Sequence, residues 1–485
     1  MVFSKMRKAS KVVLVIVILG FAASGLYAAL RSRYSGSGAE GRVVVTVNGT
    51  PIYDHILTQQ FNMELMYANY YQSMFGYGEV SWLSWEAMKY DVLTRLIAEE
   101  LLMQKAKADK IKVTNAEVEA ELSALKAQYG EDLGTPDSVV KEHIRAYLPA
   151  EKLLQQIESS VEVTDEDLVR AYEEVNARHI LISTDGRDED EARALAEELL
   201  ARAQAGEDFA VLAEEYSDDP GSRFSGGELG YFSRGMMVPE FEEAAFSTEV
   251  GGYALVQTTY GFHVINVLNR KEAVGPEFEE AKEELKQSLL SEKVGAKINE
   301  LIEELWEQAE IVYQDRQMEG RYLYLKGDFE GAIEAYNAAM KANPQEFGIY
   351  PSLAEAYART ENLEKAVEIM QACVEQLSGS SMVAEAYVLL GQYHMLQEEE
   401  DLAAQSFVKA SDADQYDLML HYTLQAVLAQ MGRTEELEVI NQRIEAIYAA
   451  NEQMYEQQEE LAETEDVDAV EDMEVETEEE VVVEE

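Results

Sequence analysis

The chain has 485 residues, 47% of them hydrophobic, so it is too long for one core and apolar enough to fill several. Its 94 acidic and 39 basic residues leave a formal net charge of -55, a surface that repels nucleic acid because phosphate binding needs clustered Lys and Arg. A single cysteine, Cys373, excludes an intramolecular disulfide framework; its place on an apolar helical stripe points to a packed core thiol.

Lys5, Arg7, Lys8 and Lys11 precede Val12–Leu30, an uncharged stretch about long enough to cross a bilayer. The basic flank predicts a cytoplasmic N-terminus, and Arg31 and Arg33 weaken that asymmetry without reversing it. No Cys follows the run, which argues against a bacterial lipid anchor. The run is long for a secretory signal, so retention as a signal anchor (residues 1–34) is favoured over cleavage near Ala23–Gly25 or Ala28–Ala29. Everything beyond is then expected outside the cytoplasm, on the periplasmic side of a bacterial inner membrane. Ser35-Gly-Ser-Gly38, within a linker at 35–42, reads as a flexible tether.

Val43–Ile52 alternates β-branched residues around Asn48-Gly49, a dipeptide suited to a tight turn. Helical patterns follow at about 54–75, 85–110, 114–129, 136–160 and 164–175. Thr114 with Glu117, and Thr164 with Glu166 and Asp167, read as helix starts with acidic first turns. Tyr67, Tyr70, Tyr71, Met74, Phe75 and Tyr77 form an aromatic, Met-rich patch that suits either an ordinary core or an adaptable surface for unfolded polypeptides.

Ala177–Ser183 has a strand pattern, followed by helices at about 188–205 and 208–215, a Gly-rich loop at Asp218–Gly230, a helix at about 239–247 and a strand at Phe262–Leu268. These elements predict a β-α-β-α-β unit of roughly domain size. A helical stretch at about 277–311 leads on from it.

From Tyr313 a period appears: Gly320 and Ala354, and likewise Ala332 and Ala366, are 34 residues apart. The first unit holds Gly320, Ala332, Tyr336, Ala339 and Pro344, and the second Ala354, Tyr357, Ala366 and Cys373. The third holds Gly391, Ala403, Phe407 and Ala410, and a degenerate fourth covers about 418–451. Small residues let paired helices approach, and large aromatics fill the space between pairs. This pattern resembles the tetratricopeptide repeat, which implies a groove for protein segments or a purely structural array. Residues 451–485 lack Lys and Arg and are about half acidic, a composition that predicts a disordered tail.

Several ordered motifs between Ala177 and Val267 resemble the parvulin family of peptidyl-prolyl isomerases. They are Ala177-Arg-His-Ile-Leu-Ile182, Asp208-Phe-Ala-Val-Leu-Ala213, Tyr216-Ser-Asp-Asp-Pro220, Gly226-Gly-Glu-Leu-Gly-Tyr-Phe232, Met236-Met-Val-Pro-Glu-Phe241 and Gly261-Phe-His-Val-Ile265. The resemblance implies that Leu229, Met237, Phe241 and Phe232 bind the substrate proline. It implies that His179 and His263 pair in a network with Asp219 and Thr258, and that no cofactor or metal is needed. Tyr253-Ala-Leu-Val256 and Tyr260 depart from the family pattern at the pocket rim. The acidic Asp185–Glu191 loop lacks the basic cluster of phosphate-directed parvulins.

Val45-Thr-Val-Asn-Gly49 and Val161-Glu-Val-Thr-Asp-Glu-Asp-Leu168 extend the likeness to the chaperone region of SurA-, PrsA- and PpiD-like proteins. The expected architecture is multidomain, α plus α+β. It comprises the transmembrane helix, a SurA-like helical chaperone domain (43–175), a parvulin α+β domain (176–272) and a helix returning to the chaperone domain (273–311). A TPR α-solenoid (312–450) and the disordered acidic tail complete it. The expected activity is prolyl isomerisation and chaperoning of exported polypeptides that contain X-Pro bonds, with a possible protein partner of the TPR groove. The alternatives are a catalytically weak holdase and a TPR scaffold that recruits export or assembly partners.

Overall fold

The computed structural model describes residues 41–74, 80–380 and 382–453. The apolar run at 12–30, the tether, Phe75 and Tyr77 of the aromatic patch, and the tail from residue 454 lie outside the described residues. No helix among the described residues is long and apolar enough to cross a membrane. The chain divides into two compact units built from separated stretches. One draws on residues 102–118 and 144–307, and the other on residues 41–101, 119–143 and 308–453.

In the second of these, β1 (Val43–Val47) and β2 (Thr50–Tyr53) form an antiparallel hairpin whose turn is Asn48-Gly49. β7 (Ile311–Tyr313) joins the free edge of β1, giving the order β2-β1-β7. Asn48 N–H donates to the Glu310 carbonyl at 2.9 Å and Glu310 N–H to Asn48 Oδ1 at 2.8 Å, so a distant segment closes the sheet. Helix α1 (Asp54–Met74) follows, then a 3₁₀ turn at Trp82–Ser84 and the helices α2 (Trp85–Ala108), α3 (Asn115–Tyr129) and α4 (Asp137–Ser159). Tyr67, Tyr70, Tyr71 and Met74 are each at least 49% exposed, which overturns the ordinary-core reading of that part of the aromatic patch.

Helix starts obey local chemistry. Thr114 accepts from Glu117 N–H while Glu117 accepts from Thr114 N–H at 2.6 Å, and Thr164 with Asp167 makes the same reciprocal cap before α5 (Asp165–Tyr172). Long helix α9 (Pro276–Gln308) buries Phe278, Val294, Ile298 and Ile302. It is tied to the start of α5 by a Lys293–Asp167 ion pair, and Lys297 Nζ donates to Ser160 Oγ at 2.8 Å.

The central α+β body differs from the β-α-β-α-β expectation. Its sheet has four antiparallel strands in the order β4-β3-β6-β5: β3 (Glu174–Ser183), β4 (Glu228–Ser233), β5 (Tyr253–Thr258) and β6 (Gly261–Lys271). β4 lies partly inside the stretch read as a glycine loop, and β5 was not predicted. Neither strand shows the alternation of exposed and buried residues that marks a half-buried strand. One face of the sheet packs Ile180, Ile182, Phe262 and Val264 against α6 (Glu189–Gln204) and α7 (Phe209–Tyr216). The other face packs Val175, Ala177, Ile265 and Val267 against α8 (Pro239–Ser247).

The repeats are helix pairs: α10 (Arg316–Lys326) with α11 (Phe329–Ala342), α12 (Ile349–Arg359) with α13 (Leu363–Gln376), and α14 (Val383–Leu396) with α15 (Glu400–Ala413). α16 (Leu418–Gln430) and a helical stretch at 434–453 follow, so the first residues assigned to the tail, 451–453, are helical. The predicted small-large pairing is physical. A Cβ on Gly320 would lie 2.7 Å from the Tyr336 ring, and one on Gly391 would lie 2.5 Å from the Phe407 ring. Cys373 is fully buried, and burial pushes its thiol up to about 12.

Candidate active site

β3 and β6 pair with His179 opposite Ile265 and Leu181 opposite His263. The two histidines therefore sit diagonally on one sheet face, the face that α8 covers. Phe241 of α8 stands edge-on to both rings, with centroids 5.5 Å from His179 and 5.3 Å from His263. The strand period of two places these three side chains together.

A hydrogen-bonded chain runs through the histidines. Thr258 Oγ1 lies 2.7 Å from His263 Nε2, His263 Nδ1 lies 3.1 Å from His179 Nδ1, and His179 Nε2 lies 2.9 Å from Asp219 Oδ2. Asp219 is an acceptor only when ionised, so His179 must donate from Nε2. Its Nδ1 then accepts from His263 Nδ1–H, leaving His263 Nε2 to accept from the Thr258 hydroxyl. Two neutral histidines satisfy the whole chain in one direction. Thr258 Oγ1 further accepts from Tyr260 N–H at 3.1 Å.

The electrostatics support that assignment. Burial pushes His263 down to about 4, with the neighbouring His179 acting in the same direction. His179 is also lowered by burial, against the opposing pull of Asp219. Burial alone would raise Asp219, but hydrogen bonds from Ser222, His179 and Gly221 N–H outweigh it and hold the carboxyl near 2.

The loop that carries Asp219 is anchored to β3. Asp218 N–H donates to the Leu181 carbonyl at 2.7 Å, and the buried Ser217 hydroxyl accepts from Leu181 N–H at 3.1 Å. Gly227 N–H donates to the Ser222 carbonyl, and its own carbonyl accepts from His179 N–H at 2.8 Å. Gly227 has φ +80°, and a Cβ there would lie 2.3 Å from the His179 carbonyl oxygen, so only glycine fits. The glycine run is thus a brace under the site.

The predicted apolar residues divide in depth. Leu229 and Met237 are half-buried against the cluster that holds Phe241, which is 3% exposed. Phe232 is 2% exposed and packs against Phe241, with ring centroids 6.1 Å apart. Ser217 and Ser222 were not singled out from the sequence. The signal was present in Asp219-Pro-Gly-Ser222, where an Asp accepts from backbone N–H groups two and three residues on.

Residues 162–271 match the PPIC-type PPIASE domain family. The foldase protein PrsA of Caldanaerobacter subterraneus is 37% identical over 277 residues, which cover 55% of this chain and 85% of that one. The chain belongs to the PrsA foldase family. The PrsA of Halalkalibacterium halodurans is 32% identical over 331 residues, covering 63% of this chain and 86% of that one. A crystal structure of the peptidylprolyl isomerase PrsA from Bacillus anthracis is 29% identical, covers 44% of this chain and 96% of that one, and has a TM-score of 0.26. Residues 2–133 match the SurA-like N-terminal domain family, and residues 316–346 the tetratricopeptide repeat. This PrsA-type chain is therefore a peptidyl-prolyl cis-trans isomerase that adds a helical repeat to the foldase plan.

Proposed function

We propose that the chain is a membrane-anchored foldase that acts outside the cytoplasm, isomerising X-Pro bonds of exported polypeptides while its helical region holds them unfolded. The observation that carries the reading is the oriented chain Thr258–His263–His179–Asp219 beneath Phe241. Cis-trans exchange needs no nucleophile or cofactor, only relief of a barrier of about 18–20 kcal/mol set by amide resonance. In this reading Leu229, Met237 and Phe241 grip the proline ring in a water-poor surface. Planar resonance places negative charge on the substrate carbonyl oxygen. A fixed carboxylate beside that oxygen disfavours the planar form and so favours the twisted one. The neutral histidines and Thr258 position Asp219 and do not exchange protons with the substrate.

The anchor reading rests on the uncharged run Val12–Leu30 and its basic flank. The holding role is supported by the exposed Tyr67, Tyr71 and Met74 on α1, since Met and Tyr adapt to varied apolar segments. Two assays on the full chain separate the roles: acceleration of a refolding reaction limited by prolyl isomerisation, and suppression of aggregation of an unfolded protein. Met237→Ala is expected to weaken the first and leave the second, and Tyr67→Ser with Tyr71→Ser the reverse. Full acceleration by Met237→Ala contradicts the assignment of the proline-binding surface.

A further inference from the structure

The fourth helix pair, α16 with the helical stretch at 434–453, ends the repeat array among the described residues. The 34-residue period shows which of its residues would meet a fifth pair. A shift of 34 sets Leu390 and His394 of α14 on Leu424 and Leu428 of α16, and all four are buried, so the register holds. The same shift sets Val388 on Tyr422 and Met395 on Ala429. Val388 and Met395 pack against the cluster that holds Leu424, Leu428, Ile440 and Ile444, so the fourth pair covers them. Tyr422 and Ala429 hold the matching places in α16 and are exposed.

This end face lacks the polar finish that a terminal repeat needs to stay soluble. α16 has no Asp, Glu, Lys or Arg among its 13 residues, in a chain that is 27% charged. Its His421 is buried and bonded to the Ser411 hydroxyl at 2.8 Å. Met419, one turn before Tyr422, is 63% exposed, and Tyr448 of the last helical stretch is 51% exposed. The Tyr422 and Tyr448 hydroxyls lie 2.5 Å apart, so the two side chains hold one another in place.

Charge selects the occupant of that face. Residues 454–485, which continue the chain from this pair, lack Lys and Arg and are about half acidic, too charged to supply a fifth apolar helix pair. Two copies of a chain with net charge -55 repel over most of their surface, so they approach best where acidic side chains are missing. An uncharged face also meets its own copy across a two-fold axis without opposing like charges.

We propose that the end of the repeat array is a homodimerisation surface, on which α16 of one copy packs against α16 of a second, with Tyr422 and Ala429 in the contact. Each end pair then caps the other, in place of a polar terminal repeat.

The test is sedimentation velocity of the full chain in density-matched detergent. The unaltered chain is expected to be dimeric at about 10 µM. Tyr422→Glu and Ala429→Glu each bring like charges into the contact from both copies, and each is expected to weaken the dimer about 10-fold or more. Ala429 is exposed, so Ala429→Glu should keep the circular dichroism of the unaltered chain, which separates lost association from lost folding. Tyr67→Ser with Tyr71→Ser on α1 should leave the dimer intact. A monomeric unaltered chain overturns the proposal and leaves the face to residues 454–485 or to another polypeptide. A dimer that withstands both glutamates, or one lost in the α1 variant, overturns it as well, since the copies then meet elsewhere.

Discussion

At Asp219 one carboxylate gathers four hydrogen bonds, from His179, the Ser222 hydroxyl, and the N–H groups of Gly221 and Ser222. Asp219→Asn keeps the size but removes the charge. Hydrogen bonds to a charged group contribute about 1.5–3 kcal/mol, so kcat/KM on an X-Pro peptide should fall roughly 10- to 100-fold with the fold retained. The histidines make a separate statement about pH. His263 titrates near 4 in the folded chain, below the ordinary 6.5, so between those values the unfolded state binds more protons. Its contribution is therefore fully present above 6.5 and is lost as pH falls through the folded value of about 4. The loss is on the order of 3 kcal/mol, and denaturant titrations of the unaltered chain and His263→Gln at pH 7 and pH 4 measure it. A parallel pH response in the two proteins would contradict the buried neutral histidine.

Elements set how well such residues can be read from sequence. The histidines were legible because both fall in motifs that resemble the parvulin family, and the repeats because Gly320 and Gly391 each lie under a ring, Tyr336 or Phe407, at a fixed offset. Gly391→Ala should accordingly lower stability by about 1–3 kcal/mol, read as a drop in thermal midpoint, through overpacking. Phe232→Ala should cost about 3–5 kcal/mol as a core truncation, which a denaturant titration reads. Phe232 and Phe241 come from different motifs, and only the fold brings their rings to 6.1 Å. β4 and β5 escaped because their residues are nearly all half-exposed or exposed, leaving no period to detect. The contacts of Ser81, Trp82 and Glu86 with the repeats left no local trace either, since partners some 300 positions apart impose no sequence period.

For the whole molecule, the foldase plan is extended by repeats whose contact with Glu86 has its own pH dependence. Burial raises that carboxyl from 4.5 to about 7; Ser352, Arg321 and Tyr336 pull it down, and Glu355 pushes it up. The folded chain therefore holds an extra proton between 4.5 and about 7, and stability falls as pH rises through that window, by on the order of 3 kcal/mol. His263 has the opposite slope, so the comparison that isolates Glu86 is the unaltered chain against Glu86→Gln at pH 5.5 and pH 8. The difference between the two proteins should be larger at pH 8, and an equal difference at both values contradicts a raised Glu86. The isomerase site is tested by isomerisation of a short X-Pro peptide by the full chain in detergent, beside Asp219→Asn and Thr258→Val. A site built on the Asp219 carboxylate should give clear acceleration by the unaltered chain, a 10- to 100-fold loss in Asp219→Asn and a smaller loss in Thr258→Val, which breaks only the far end of the hydrogen-bonded chain. Undiminished turnover in Asp219→Asn, or no acceleration by a folded chain, would contradict it.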